Sequence, residues 1–295
     1  MEVSLSQASK TLHIRVGVEY ERTPMDKGAI INADDFGKDM QTSEAILDAL
    51  RMGLITQTTL MANMPYAEDA AHAAAKEGLT DRVGLHLNLT EGIPMTDAMR
   101  GCKVFCDAAG CFANKRPCSR WLSLDRKTTL VVAAEIECQV RRYLDLGMTL
   151  LHCDGHHHMQ SWLPIGRILL PILKKYGFKS IRRHYSMVFH TRHPVIRSRI
   201  LSFLWNMEAC RFGLATAEDF GGWDNYVETC DLLGRVHTIE IMTHPYRDLD
   251  TGHLIDLTDF HKMRGRPLDM IASRLKSDQW QLVTYLTVQG RRNRI

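Results

Sequence analysis

No apolar run in this chain approaches the roughly 20 residues that a helix needs to cross a bilayer, so the sequence predicts no membrane span. The first 24 residues carry scattered charges and lack the apolar stretch of a secretory signal, which leads us to expect a cytoplasmic protein. Charge of one sign is missing too: 37 Lys and Arg stand against 34 Asp and Glu, a net +3. A nucleic-acid protein would gather its cations on one face. The one basic run, Arg291-Arg292-Asn293-Arg294, reads as a solvated end, so no nucleic-acid partner is expected. Eight cysteines in 295 residues are too sparse for a disulfide scaffold and are expected as reduced thiols. Fixed-period repeats, low-complexity tracts and linkers are absent as well. A hydrophobic fraction of 45% with 24% charged residues is ordinary for a globular chain and argues against extensive disorder.

What is there is an alternation of short apolar runs and amphipathic stretches. Gly28–Ala33 is apolar and leads into Asn32-Ala33-Asp34-Asp35-Phe36-Gly37. Ser43–Met52 sets Ile46, Ala49 and Leu50 at helical spacing, with Gly53 as a stop. Ile55–Met61 reads as a strand, and Pro65 opens an Ala-rich helix that Gly78 ends. In Val83–Leu89 the aliphatics alternate with Gly84, His86 and Asn88, so a strand sends His86 and Asn88 to one face. Residues 95–128 read as an irregular excursion, and Thr129–Leu146 as a long helix. Met148–Leu151 is expected as a strand, Pro164–Tyr176 as a helix, Thr238–Met242 as a strand, and Trp280–Leu286 as the last strand. Strands alternating with helices predict parallel βα units and one barrel-type domain. In such barrels the chemistry sits where strands end.

Asp34/Asp35, His156 and His244 each follow an apolar run, and His86 lies within one. The adjacent carboxylates can divide two jobs, metal binding and proton transfer; the plainer reading is an Asp-rich turn that caps a helix. His86 could ligate a metal, but a lone histidine in a strand is more often structural. In an extended segment His152, Asp154, His156 and His158 would share a face, a grouping that a cation or carboxylates would organise. Asp154 is the expected carboxylate partner that orients a ligating imidazole. His244, before Pro245, suits a general acid or a loop histidine. Trp223, within Phe220-Gly221-Gly222-Trp223-Asp224, is a candidate to stack on a sugar from a loop or to pack on the barrel. Taken together, Asp, His and His at separate strand ends are the pieces of an open catalytic metal site.

Those segments, with Gly84–Thr90, Asp154-Gly155-His156-x-His158 and Thr243-His244-Pro245, resemble in order and spacing the four signatures of the YdjC-like carbohydrate deacetylases. The resemblance implies an α/β fold, a single-domain irregular (β/α) barrel, TIM-barrel-like and related to polysaccharide deacetylases. It places the domain in residues 25–295 and makes 1–24 an N-terminal extension. It further implies a divalent metal ion, magnesium or zinc, held by Asp35, His86 and His156. Asp34 would be the base, His244 the acid, and Asp154 and His158 supporting residues. The expected partner is a small acetylated sugar; a homodimer is left open. The implied reaction is deacetylation of N-acetylated sugars such as chitooligosaccharides. Hydrolysis of another ester, amide or phosphoester, or binding of a sugar or metal without catalysis, are the alternatives. Family members often carry a further histidine where Gln160 stands.

Overall fold

The computed structural model describes residues 27–113, 124–184, 186–187, 196–258 and 265–292. The expected extension 1–24 lies outside them. In chain order the first elements are β1 (Gly28–Phe36), α1 (Met40–Arg51), β2 (Gln57–Leu60), α2 (Ala67–Lys76), β3 (Val83–Leu87) and a short α3 (Asp97–Arg100). There follow α4 (Arg126–Asp145), β4 (His152–Gly155), α5 (Leu163–Lys175), β5 (Ser180–Ile181), α6 (Ile196–Arg211) and β6 (Asp219–Gly222). The last are α7 (Trp223–Thr229), β7 (Thr238–Thr243), β8 (Pro245–Arg247), β9 (Leu254–Asp256), β10 (Arg266–Pro267), α8 (Leu268–Ser277), β11 (Gln281–Leu282) and α9 (Tyr285–Arg292).

Seven strands run parallel in the order β5-β4-β3-β2-β1-β7-β6, and β11 pairs with the start of β1. The edges of this curled sheet approach one another. Ser180 bridges in parallel to Ala215, just ahead of β6, and the Ser186 and Met187 N–H groups donate to the Phe220 carbonyl. The fold is therefore an α/β irregular barrel in one domain. Helices close its outside. Asp39 and Asp125 cap α1 and α4 by accepting from Thr42 and Thr128 N–H. Along α4, Val132, Ile136, Val140 and Tyr143 follow helical spacing into the core. The antiparallel β8-β9-β10 sheet is appended after β7.

The inside of the barrel is polar. Asn32, Gln57, Thr59, His86, His152, Asp154, Arg182 and Glu240 are all buried. This explains two departures from expectation. The fourth strand is His152–Gly155 rather than Met148–Leu151, because its polar residues face a polar interior and carry no apolar signal. Chain alternation also ends at Gly155: a 3-10 turn spans His156–Ser161, with His157 and His158 at φ 51° and 57°, so residues 152 to 158 do not share an extended face. A side chain at position 155 would meet Gln160 Oε1 at 2.8 Å, so glycine lets this turn fold against the strand. The final strand is two residues long, and Tyr285 already begins α9.

Candidate metal centre and active site

The register sets the site. Thr59 pairs with Gly84, and His86 with Asp154, across β2, β3 and β4. The β1–β2 register shifts between Ala33 and Phe36, and Asp35 in that interval has φ 71°. Such bulges re-aim a side chain beside active sites. Asp35 Oδ1 lies 2.8 Å from His156 Nδ1 and 3.3 Å from His86 Nε2. One donor atom from each of the three residues falls within 4.8 Å of the others, all buried.

The far nitrogen of each imidazole meets a carboxylate. His86 Nδ1 lies 2.6 Å from Asp154 Oδ1, and Thr59 Oγ1 donates to Asp154 Oδ2 at 3.0 Å. His156 Nε2 lies 2.9 Å from Glu91 Oε2, which also accepts from Lys38 Nζ at 3.1 Å. Glu91 went unrecognised in the sequence. The signal was present in Asn88-x-Thr90-Glu91: Asn88 Oδ1 accepts from the Thr90 and Glu91 N–H groups, and its amide donates to the Glu91 carbonyl. Asn88 folds the turn that aims Glu91.

Asp34 faces the other way. Arg182, fully buried on the chain after β5, donates to both its oxygens at 2.7 Å, and Asn32 donates to Oδ1 at 2.8 Å. Arg182 also meets Asp154 at 2.8 Å and donates to Glu240 at 2.7 Å. Sequence reading missed both: Arg182 stands beside no recognisable motif, and Glu240 is a lone carboxylate inside the apolar run Thr238–Met242, ahead of Thr243-His244-Pro245.

Electrostatics follow from this crowding. Burial pushes the Asp34 carboxyl up, but the Arg182 guanidinium outweighs it and holds Asp34 well below the usual range. Burial likewise opposes ionisation of Asp35, and the two imidazoles hold it well below normal. Burial disfavours charge on His86, yet Asp154 and Asp35 raise it to about 10; His156 is raised by Asp35 and Glu91 against the same burial. The His156 contact, then Lys38, lowers Glu91 to about 2. Burial lifts Glu240 to about 7.

These residues fit a divalent cation. Asp35 Oδ1 and His86 Nε2 form no hydrogen bond although 3.3 Å apart, the geometry of two donor atoms turned toward a shared third object. Asp34, Asp154 and Glu240 are three buried carboxylates around Arg182, the one buried guanidinium among the described residues, and Asp35 is a fourth buried carboxylate beside the imidazoles. Without a metal, the balance falls to protons on His86 and His156.

His244 follows β7 directly, and its proximity is a minor contribution to the lowering of Asp34. Its Nδ1 lies 3.2 Å from Thr258 Oγ1. His158 is half-buried, with its ring edge against Phe220, 5.6 Å between centroids; the desolvation of its ring, then Arg182, lowers it to about 3. Gln160 is buried, and its side-chain amide forms no hydrogen bond. Trp223 opens α7 rather than a loop, is 5% exposed and stacks on Tyr226, which favours packing on the barrel.

The sequence profile described as YdjC-like protein matches residues 28–275. A carbohydrate deacetylase from Halalkalibacterium halodurans is 31% identical over 221 residues, 73% of this chain and 84% of that protein. One from Listeria monocytogenes is 36% identical over 260 residues, 83% and 91% of the two chains. Among solved structures, a protein from Enterococcus faecalis named for cellobiose-phosphate cleavage superposes with TM-score 0.65. It covers 89% of this chain and 98% of its own at 19% identity, a likeness of fold. No described helix is long and apolar enough to cross a membrane.

Proposed function

The chain belongs to the YdjC-like family, and from that premise we propose that it is a metal-dependent deacetylase of N-acetylated sugars, chitooligosaccharides among them. The observation that carries the reading is the convergence of Asp35 Oδ1, His86 Nε2 and His156 Nδ1, with Asp34 beside them. Two imidazoles and one carboxylate suit a zinc-type ion better than magnesium, which takes oxygen donors. A bound ion would polarise the acetyl carbonyl and bring the pKa of water from 15.7 toward about 7.

The remaining work belongs to the side chains. Asp35, His86 and His156 would hold the ion, while Asp154 and Glu91 fix the far nitrogen of each imidazole. Arg182 keeps Asp34 ionised, so it is ready to take a proton from the attacking water. The water oxygen adds to the acetyl carbon as its proton passes to Asp34; the C–N bond then breaks, and His244 gives a proton to the departing amine. Acetate and a free amino sugar are the products.

Acetate release from N-acetylated chitooligosaccharides by zinc-loaded protein tests the reaction. Loss of both zinc and activity in His86→Ala is the expected companion result. Full zinc occupancy in that variant would remove His86 from the ligand set, and no acetate from any N-acetylated sugar would end the deacetylase reading.

A further inference from the structure

The strands β8 and β9 pair antiparallel, with Pro245 opposite Asp256, and so bring residues 256–258 back to His244. Asp256 is buried, and its Oδ1 accepts three hydrogen bonds. They come from His244 N at 2.7 Å, Thr258 N at 3.1 Å and Thr258 Oγ1 at 2.6 Å. On its other side Thr258 Oγ1 lies 3.2 Å from His244 Nδ1.

A hydroxyl has one proton to give. At 2.6 Å, with two N–H groups converging on the same oxygen, Asp256 Oδ1 is the acceptor and takes that proton. Thr258 Oγ1 can then only accept from the ring, so His244 Nδ1 must carry hydrogen. Nε2 is left as the nitrogen that exchanges protons.

We infer that Thr258, anchored by Asp256, is a positioning residue that fixes the proton on His244 Nδ1 and so commits Nε2 to proton delivery. This rests on the reading of His244 as the leaving-group acid. When Nε2–H passes to the amine, the ring is left as the neutral Nδ1–H tautomer, already hydrogen-bonded, with no rearrangement required. Without the Thr258 hydroxyl, the opposite neutral tautomer becomes accessible. That form cannot surrender its proton without becoming an imidazolate.

The test uses zinc-loaded Thr258→Val and Thr258→Ser. With N,N′-diacetylchitobiose, Thr258→Val should lose at least about tenfold in kcat at unchanged KM, a part of the 10²–10⁴ that general acids contribute. Thr258→Ser should recover most of it. Aryl acetate, whose phenolate departs unaided, should be hydrolysed by Thr258→Val at the wild-type rate. Ring nitrogen NMR of ¹⁵N-histidine protein, with His244 assigned by its loss in His244→Ala, should show a protonated Nδ1 in the wild type. Wild-type kcat in Thr258→Val, equal damage on both substrates, no rescue by serine, or an unprotonated Nδ1 each overturns the inference. Should His244→Ala keep full amide activity, the acid reading fails instead, and the nitrogen spectrum still decides where the proton lies. That spectrum also decides the matter if Thr258→Val does not fold.

Discussion

Asp34 and Asp35 share a peptide bond and sit in opposite surroundings. Asp34 is clamped by Arg182 and Asn32. Asp35, turned by a positive φ at the register shift, meets only the two imidazoles and, at 3.8 Å, Lys38. A left-handed aspartate in a strand is backbone strain of about 1–3 kcal/mol, the kind that persists where surroundings over-determine it. We therefore expect Asp35→Asn to lose zinc, measured by elemental analysis. Asp34→Asn should keep zinc and lose most of kcat, by about 10²–10⁴; the reverse pattern would exchange the two roles. Aryl acetate should partly rescue His244→Ala and not Asp34→Asn, because water still needs its base. Glu91 gives a separate test. Glu91→Ala removes the acceptor of His156 Nε2 and should weaken zinc binding by about 10–100-fold in a chelator competition. Unchanged affinity would leave Glu91 without an orienting role.

At the scale of elements, the outward-facing half of the barrel was legible and the inward-facing half was not. The Val83, Leu85, Leu87 alternation placed β3 and turned His86 inward, because those aliphatics meet helices. His152–Gly155 gave no such signal, since His152 packs on Tyr285 at 3.6 Å and Asp154 on His86, both polar surroundings. The one-face reading of residues 152–158 failed where two histidines take positive φ, which no periodicity announces. Arg182 lies in a stretch without motif, and only the curled sheet brings it to Asp34 on β1, Asp154 on β4 and Glu240 on β7. Trp223 was ambiguous because Gly221-Gly222 reads as a mobile turn, whereas Gly222 ends β6 and α7 begins at once. Trp223→Ala should accordingly act through packing. The expected cost is about 3–5 kcal/mol in denaturant unfolding, with KM for sugar unchanged in protein that folds. A raised KM at unaltered stability would return the ring to the substrate.

Across the whole molecule the barrel interior holds more negative charge than it can neutralise with Arg182, and this ties folding to metal and pH. His86 is raised to about 10, and His156 in the same direction, by carboxylates that overcome burial. A histidine whose folded pKa exceeds its unfolded value near 6.5 stabilises the fold fully below 6.5. That contribution is lost as pH rises toward 10. Metal-free protein should therefore melt at progressively lower temperature between pH 7.5 and 10. Glu240, raised to about 7 by burial, gives up its proton mostly below this window, so the loss expected above pH 7.5 belongs to the imidazoles. With zinc bound, the two imidazoles are neutral ligands at every pH in the window, so this loss should vanish. Zinc binding must then release protons, and its affinity must climb with pH until His86 and His156 are deprotonated unaided. Calorimetry at pH 7.5 in two buffers of different ionisation enthalpy counts those protons, and paired melting curves with and without zinc read the stability. Zinc binding without proton release, or parallel melting curves for the two forms, would mean that the buried carboxylates are neutralised elsewhere. The three converging donor atoms would then not be the place where the cation enters.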